Sequence, residues 1–273
     1  MRSLRLSKIL LISFFPLLLS TGCLSPKSKD SLLDYSRSAE TLFLEAMDEY
    51  DDQDCVSAEP KFQEVRRKFP YSRYAVLSEL RIADCQFIQD NHAEASVLYE
   101  QFVAAHPTHE EAHYAAFRRG LSFVKMIPSD VFIMPPPYER DQSATRDARN
   151  ALARFIKTYP ESEWQDEAQA LLSEVVDALV RHEIYVAKFY LSQDDKVAAA
   201  VRLEKVRVNF QESTLVPDAM FLQAMTYLEL NKTKEAKRVL GEIITYYPSH
   251  YQSLRAKDYL KHLERAKRRG SDG

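Results

Sequence analysis

An all-α fold, a curved solenoid of about five antiparallel helix pairs, is what this sequence predicts, and three observations carry the prediction. The chain of 273 residues holds only five glycines among many Ala, Leu, Glu, Lys and Arg, the residues that lose least on entering a helix. Alanines recur with a step of 37, Ala58 to Ala95 and Ala199 to Ala236, and Pro70 to Pro107 keeps the same step. A repeat of that length describes a supersecondary unit that buries its apolar face only against its neighbours.

The amino terminus is a processing signal. Arg2, Arg5 and Lys8 precede an apolar run from Ile9 to Leu19 that is too short to span a bilayer. It ends in Leu19-Ser20-Thr21-Gly22-Cys23, which resembles the bacterial lipobox cleaved just before a lipidated cysteine, with Ser20 where a Leu is usual. Residues 1–22 are therefore expected to be removed and Cys23 to be lipidated. Leu24, in place of an inner-membrane retention Asp, favours delivery to the outer membrane. Residues 23–37, rich in Ser, Lys and Asp, are expected to tether the anchor to the fold.

The repeats are expected over 38–270. Twelve residues before each of the four repeat alanines stands another alanine, Ala46, Ala83, Ala187 and Ala224, and four after stand Phe62, Tyr99, Leu203 and Leu240. The first alanine lets two helices approach closely, while the second shares a helix face with its i+4 partner. Ala148 and Leu152 supply a further copy. Units close on segments such as Phe69-Pro70-Tyr71-Ser72, His106-Pro107-Thr108 and Tyr159-Pro160-Glu161-Ser162, in which Pro stops one helix and Ser or Thr caps the next. The units are then about 38–70, 71–107, 108–160, 161–213 and 214–250, followed by a closing helix to about 269. Unit three carries an extended insertion over 128–147 that includes Pro135-Pro136-Pro137. Unit four has no helix breaker from Ser162 to Leu191, so a helix of roughly 29 residues is expected there, capped by a Ser162/Gln165 box. Pro60 should make the second helix of unit one start late, near Ser57, or bend.

Composition and motifs exclude several functions. No glycine-rich phosphate loop and no nucleophile elbow occur. Removal of residues 1–22 takes the Lys and Arg count from 37 to 34 against 40 Asp and Glu, a negative balance that argues against nucleic acid as a partner. His109-Glu110-Glu111-Ala112-His113 satisfies a zinc-hydrolase pattern, but Thr108 and Glu111 read as a capping box that puts His109 at a frayed first helical position, and Arg119 stands where a third ligand would be needed. No metal or cofactor is expected. Cys55 and Cys85 form either a bridge, permitted in an oxidising compartment, or two buried thiols. The basic stretch from Arg255 to Arg269 reads first as the polar closing helix a solenoid requires, with a contact for anionic lipid or for an acidic partner as the alternatives.

Helix pairs with small, aromatic and Pro positions in this order resemble tetratricopeptide repeats. The lipobox, five such units and an extended third unit together resemble the BamD family, the repeat lipoproteins of the outer-membrane β-barrel assembly machinery. Local strings sharpen the likeness: Pro107-Thr108-His109 with Tyr114 and Arg119-Gly120-Leu121, Arg140-Asp141 closing the insertion, Tyr159-Pro160-Glu161-Ser162, and His182-Glu183-Ile184-Tyr185-Val186-Ala187 with Phe189-Tyr190. Phe189, Gln211 and the Pro-rich insertion depart from the family pattern. The resemblance implies a scaffold without catalysis, anchored in the outer membrane and facing the periplasm. Its amino-terminal units would receive the carboxy-terminal segment of unfolded outer-membrane proteins, and an extended segment of that kind suits a groove with apolar pockets, for which Tyr71, Tyr74 and Phe87 are the candidate side chains. Its later units would dock on periplasmic domains of the barrel-forming component, with Arg202, Arg140, Asp141 and Glu183 as partner-binding residues. Other assembly lipoproteins would be further partners. The alternative is another periplasmic repeat lipoprotein, a peptidoglycan-associated or competence-related binding module.

Overall fold

The computed structural model describes residues 29–130 and 132–271. The expected signal peptide, Cys23 and the tether as far as residue 28 lie outside the described residues. Eleven α-helices follow one another among these: α1 (Lys29–Asp51), α2 (Cys55–Lys68), α3 (Arg73–Ile88), α4 (His92–Ala105), α5 (Ala112–Lys125), α6 (Ser143–Thr158), α7 (Gln165–Ser192), α8 (Lys196–Asn209), α9 (Val216–Glu229), α10 (Thr233–Tyr246) and α11 (Tyr251–Ser271), with one 3-10 turn at Pro137–Glu139. Each helix packs on the next in sequence, giving five pairs and a closing helix. Odd-numbered helices also touch odd ones across unit boundaries, α1 with α3, α5 with α7, α7 with α9 and α9 with α11. The odd row is therefore the shorter arc and lines the inner side of the curve.

The alanine pattern is the packing code. Ala46, Ala83, Ala187 and Ala224 on the inner helices, and Ala58, Ala95, Ala148, Ala199 and Ala236 on the outer ones, are all 0% exposed. Their i+4 partners Phe62, Tyr99, Leu152, Leu203 and Leu240 are equally buried. In unit three the close-approach role falls to Gly120, where an added Cβ would sit 2.8 Å from Leu152 Cδ2. The apolar interior divides into four clusters strung along the chain, as expected when each unit contacts only its neighbours.

Scarcity of glycine is met by polar residues in the turns. Gln53, Asp90, Asp194 and Asn231 take φ near 60° between the helices of units one, two, four and five. In each case the next N–H reaches back to a carbonyl five residues earlier, as Asp54 N–H does to Glu49 O and Asn91 N–H to Gln86 O, both at 2.9 Å. This is a Schellman closure with Asp, Asn or Gln in the left-handed position that glycine usually fills.

Several local expectations are corrected. Residues 29–37, expected in the tether, belong to α1, because Tyr35 packs edge-on against Phe69 with ring centroids 5.1 Å apart. The long helix of unit four exists, with 28 residues, but without the Ser162/Gln165 box. Trp164 stacks on Phe117 at 5.1 Å and 9°, which turns the segment so that Gln165 Nε2 donates to Ile156 O instead. The Thr108/Glu111 box is also absent, since α5 begins only at Ala112. Helix α2 does not start late at Pro60: it begins at Cys55, is capped by Asp54, which accepts the Ser57 N–H, and carries Pro60 inside. Cys55 and Cys85 are buried free thiols in the unit-one core, and burial pushes both thiols up. Helix α11 closes the array, with the Arg255 guanidinium 4.1 Å from the Phe221 ring centroid.

Candidate functional site

Two surfaces gather the chemistry-bearing side chains. The first is on the inner helices of units one to three. Asp84 on α3 is fully buried. Its carboxylate accepts the hydroxyls of Tyr99 at 2.6 Å and Tyr114 at 2.9 Å and a guanidinium N–H of Arg81, while Arg118 Nε stands 4.0 Å away. Arg118 lies over the Phe87 ring, 3.8 Å from its centroid, and Arg81 lies 5.8 Å from that of Tyr50. Two guanidiniums thus answer one buried carboxylate, and the surplus positive charge is held between aromatic faces, where cation–π attraction offsets part of the lost hydration.

Burial, with the Asp84 charge next, pushes the Tyr50 phenol from 10.0 to about 12, and the same two causes raise Tyr99 and Tyr114. A phenol whose pKa is raised by folding stabilises the fold fully below the unfolded value. That contribution is lost as pH climbs from about 10 through the folded value, because the unfolded chain ionises first. We expect these three of the 15 tyrosines to ionise only as helices α1–α5 open, so that a late step in tyrosinate absorbance coincides with loss of helical circular dichroism. Complete tyrosine titration before any loss of helix would contradict this.

The expected groove residues are not brought together. Tyr71 is 95% exposed in the turn between α2 and α3. Tyr74, expected on the groove, is instead 5% exposed in the unit-one core, its ring 5.4 Å from that of Phe43 and its hydroxyl accepting from Arg73. Phe87 alone joins the inner cluster. Sequence reasoning missed Tyr50, Arg81, Asp84 and Arg118. The available signal was an acidic residue inside the apolar Ile82-Ala83-Asp84-Cys85 stretch.

The second surface centres on α7. Glu183 is 5% exposed and pairs with Lys205 Nζ and, at 3.4 Å, Arg202 Nη1, both from α8. Arg202 and Glu183, expected as separate partner contacts, are thus paired with each other in the free chain, while the Arg202 side chain keeps 37% of its surface open. The insertion docks on the same stretch of α7. The Tyr138 carbonyl can only accept, so His182 Nδ1 donates to it, at 2.7 Å, and the Tyr138 and Tyr185 rings lie 5.6 Å apart. Arg140 Nε donates to Pro135 O at 2.7 Å, and Asp141 accepts the Ser143 N–H at 3.0 Å. The hydrogen bonds to Ser143 hold the Asp141 carboxyl below its ordinary value. Beside these, Arg146, Arg149, His182, Glu183, Lys205 and Phe210 border a cleft of about 380 Å³.

The zinc pattern is dismantled by the fold. His109 lies in the turn before α5 and its Nδ1 accepts the Glu111 N–H at 3.1 Å, while His113 Nδ1 pairs with the Ser162 hydroxyl at 3.0 Å. The two rings do not share one helical face.

A family model described as an outer membrane lipoprotein, YfiO, matches residues 36–243. The chain belongs to the YfiO family. Both surfaces lie inside the matched span. Among YfiO-like relatives, the protein named outer membrane protein assembly factor BamD from Neisseria gonorrhoeae is 29% identical over 227 residues, covering 81% of this chain and 83% of its own. The protein of that name from Caulobacter vibrioides is 29% identical over 223 residues, covering 81% of this chain and 70% of its own. That from Rickettsia prowazekii is 25% identical over 246 residues, covering 90% and 94%.

Proposed function

We propose that this chain is a non-catalytic subunit of the outer-membrane β-barrel assembly machinery, anchored through lipidated Cys23 and facing the periplasm. The observation that carries the reading is membership of the YfiO family across both candidate surfaces, with relatives named as outer membrane protein assembly factors. Among the described residues no helix is long and apolar enough to cross a membrane, so in this reading attachment falls to the acyl chains, several of which are needed for stable anchoring.

The inner cluster suits an unfolded barrel segment. An extended chain offers backbone polar groups and alternating side chains, and Phe87, Tyr50 and Tyr114 supply apolar faces while Arg81 and Arg118 supply charge. The α7–α8 surface suits the periplasmic domains of the barrel-forming component: Arg202 can exchange its single contact with Glu183 for a two-pronged pairing with a partner carboxylate, and Arg140 and Asp141 border the same stretch of α7. Accessory assembly lipoproteins are further partners in this reading. Cys23→Ser is expected to move the protein from the membrane to the soluble periplasmic fraction and to lower the yield of folded barrels. Retention of the variant in the outer membrane would sink the anchoring role.

A further inference from the structure

Away from both surfaces, α4, α5 and α6 leave an apolar cleft of about 240 Å³ between units two and three. Val103 on α4, Ala116 on α5, and Ala151 and Phe155 on α6 form its walls. An apolar cavity of about 150 Å³ holds benzene, so this one has room for a single aromatic side chain. Its mouth is charged unevenly. Glu100 Oε1 stands 3.0 Å from Arg119 Nη2 and 4.0 Å from Arg154 Nη1, so one carboxylate answers two guanidiniums. Arg119 Nε is buried without a hydrogen-bond partner, although buried donors are almost always satisfied. The cleft therefore combines an apolar hollow with a surplus positive charge at its mouth, part of it carried by a well-packed Arg119 whose side chain is only 19% exposed.

We infer that this cleft docks a segment of a partner protein carrying one aromatic side chain next to an aspartate or glutamate. The ring fills the hollow, and the carboxylate lies against Arg119 and Arg154. Charge complementarity selects the acid, and the alanines lining the cleft leave the depth an aromatic anchor needs. The inference rests on the reading of the chain as an assembly scaffold, but it concerns a different face. Its failure leaves the inner groove and the α7–α8 surface untouched.

A Gly-Asp-Phe-Gly amide carrying fluorescein on its amino terminus, titrated by anisotropy against the full chain in detergent, tests it. Binding is expected in the millimolar range or tighter, and is expected to be lost with the peptide's asparagine-for-aspartate and alanine-for-phenylalanine analogues. Arg154→Glu should weaken binding roughly tenfold by placing a second acid at the mouth, and Ala104→Trp should close the rim. Both side chains are exposed, so the melting temperature should not move. Equal binding of all three peptides, or unchanged binding by both variants, overturns the proposal. Self-association of the wild-type chain that Ala104→Trp abolishes would overturn it too, assigning the cleft to a second copy.

Discussion

Asp84→Ala is expected to destabilise the first three units by about 3–5 kcal/mol, the usual cost of stripping a buried ionic cluster of its single counter-charge. The carboxylate is fully buried and takes hydrogen bonds from Tyr99, Tyr114 and Arg81. Without it, two guanidiniums and two phenols face one another with no carboxylate among them, and only the Tyr99 hydroxyl is left to accept, from Arg118 Nε at 3.2 Å. Because the chain is a linear array, the loss should stay local: units four and five, with their own core, should unfold at their original denaturant concentration while the amino-terminal helices melt earlier. Asp84→Asn keeps an acceptor but not the charge and should fall between. Urea melts with residue-resolved hydrogen exchange measure this, and a single transition within about 1 kcal/mol of wild type would show that the cluster is not a keystone.

Arg202→Glu is expected to do two things at once. It sets a second carboxylate beside Glu183, which is 5% exposed and held by Lys205 and Arg202, and like charges at such a distance cost several kcal/mol when desolvated. It should also abolish co-purification of the barrel-forming component. The double exchange Glu183→Arg with Arg202→Glu separates the effects. Restoring the ion pair should bring thermal stability back toward wild type, while the partner still meets an acid where it needs a guanidinium. Full recovery of co-purification in the double variant would mean that Arg202 acts only by neutralising Glu183.

What was legible in the residues, and what was not, follows the range of the interactions. The repeat alanines and their i+4 partners are set by the spacing of two packed helices, so a step of 37 in the sequence maps directly onto five pairs and a closing helix. The unbroken run after Ser162 gave the long α7 for the same reason. Caps were less secure. Ser162 and Thr108 have the right residue types, yet Trp164 stacking on Phe117 and the turn through His109 outweigh about 1 kcal/mol of capping. Gly120 stands 37 residues after Ala83, in step with Ala46 and Ala83, but it stayed hidden because it breaks the alanine pattern and because the insertion moves its outer partner Ala148 away from the twelve-residue spacing. Asp84 and Arg118 come from successive inner helices and meet Tyr99 from the outer row, a contact fixed by stacking that no local pattern announces. The pairing of Arg202 with Glu183 spans α7 and α8 and was invisible for the same reason. Tyr74 looked like a groove residue by its type, but the second position of α3 points it into the unit-one core against Phe43.

The most direct measurement is depletion of the protein in growing cells followed by quantification of folded outer-membrane barrels from their heat-modifiable migration. The scaffold account predicts that folded barrels fall and unfolded precursors accumulate before growth stops, with restoration by the wild-type chain. Barrels folded and inserted at normal levels throughout depletion would contradict it.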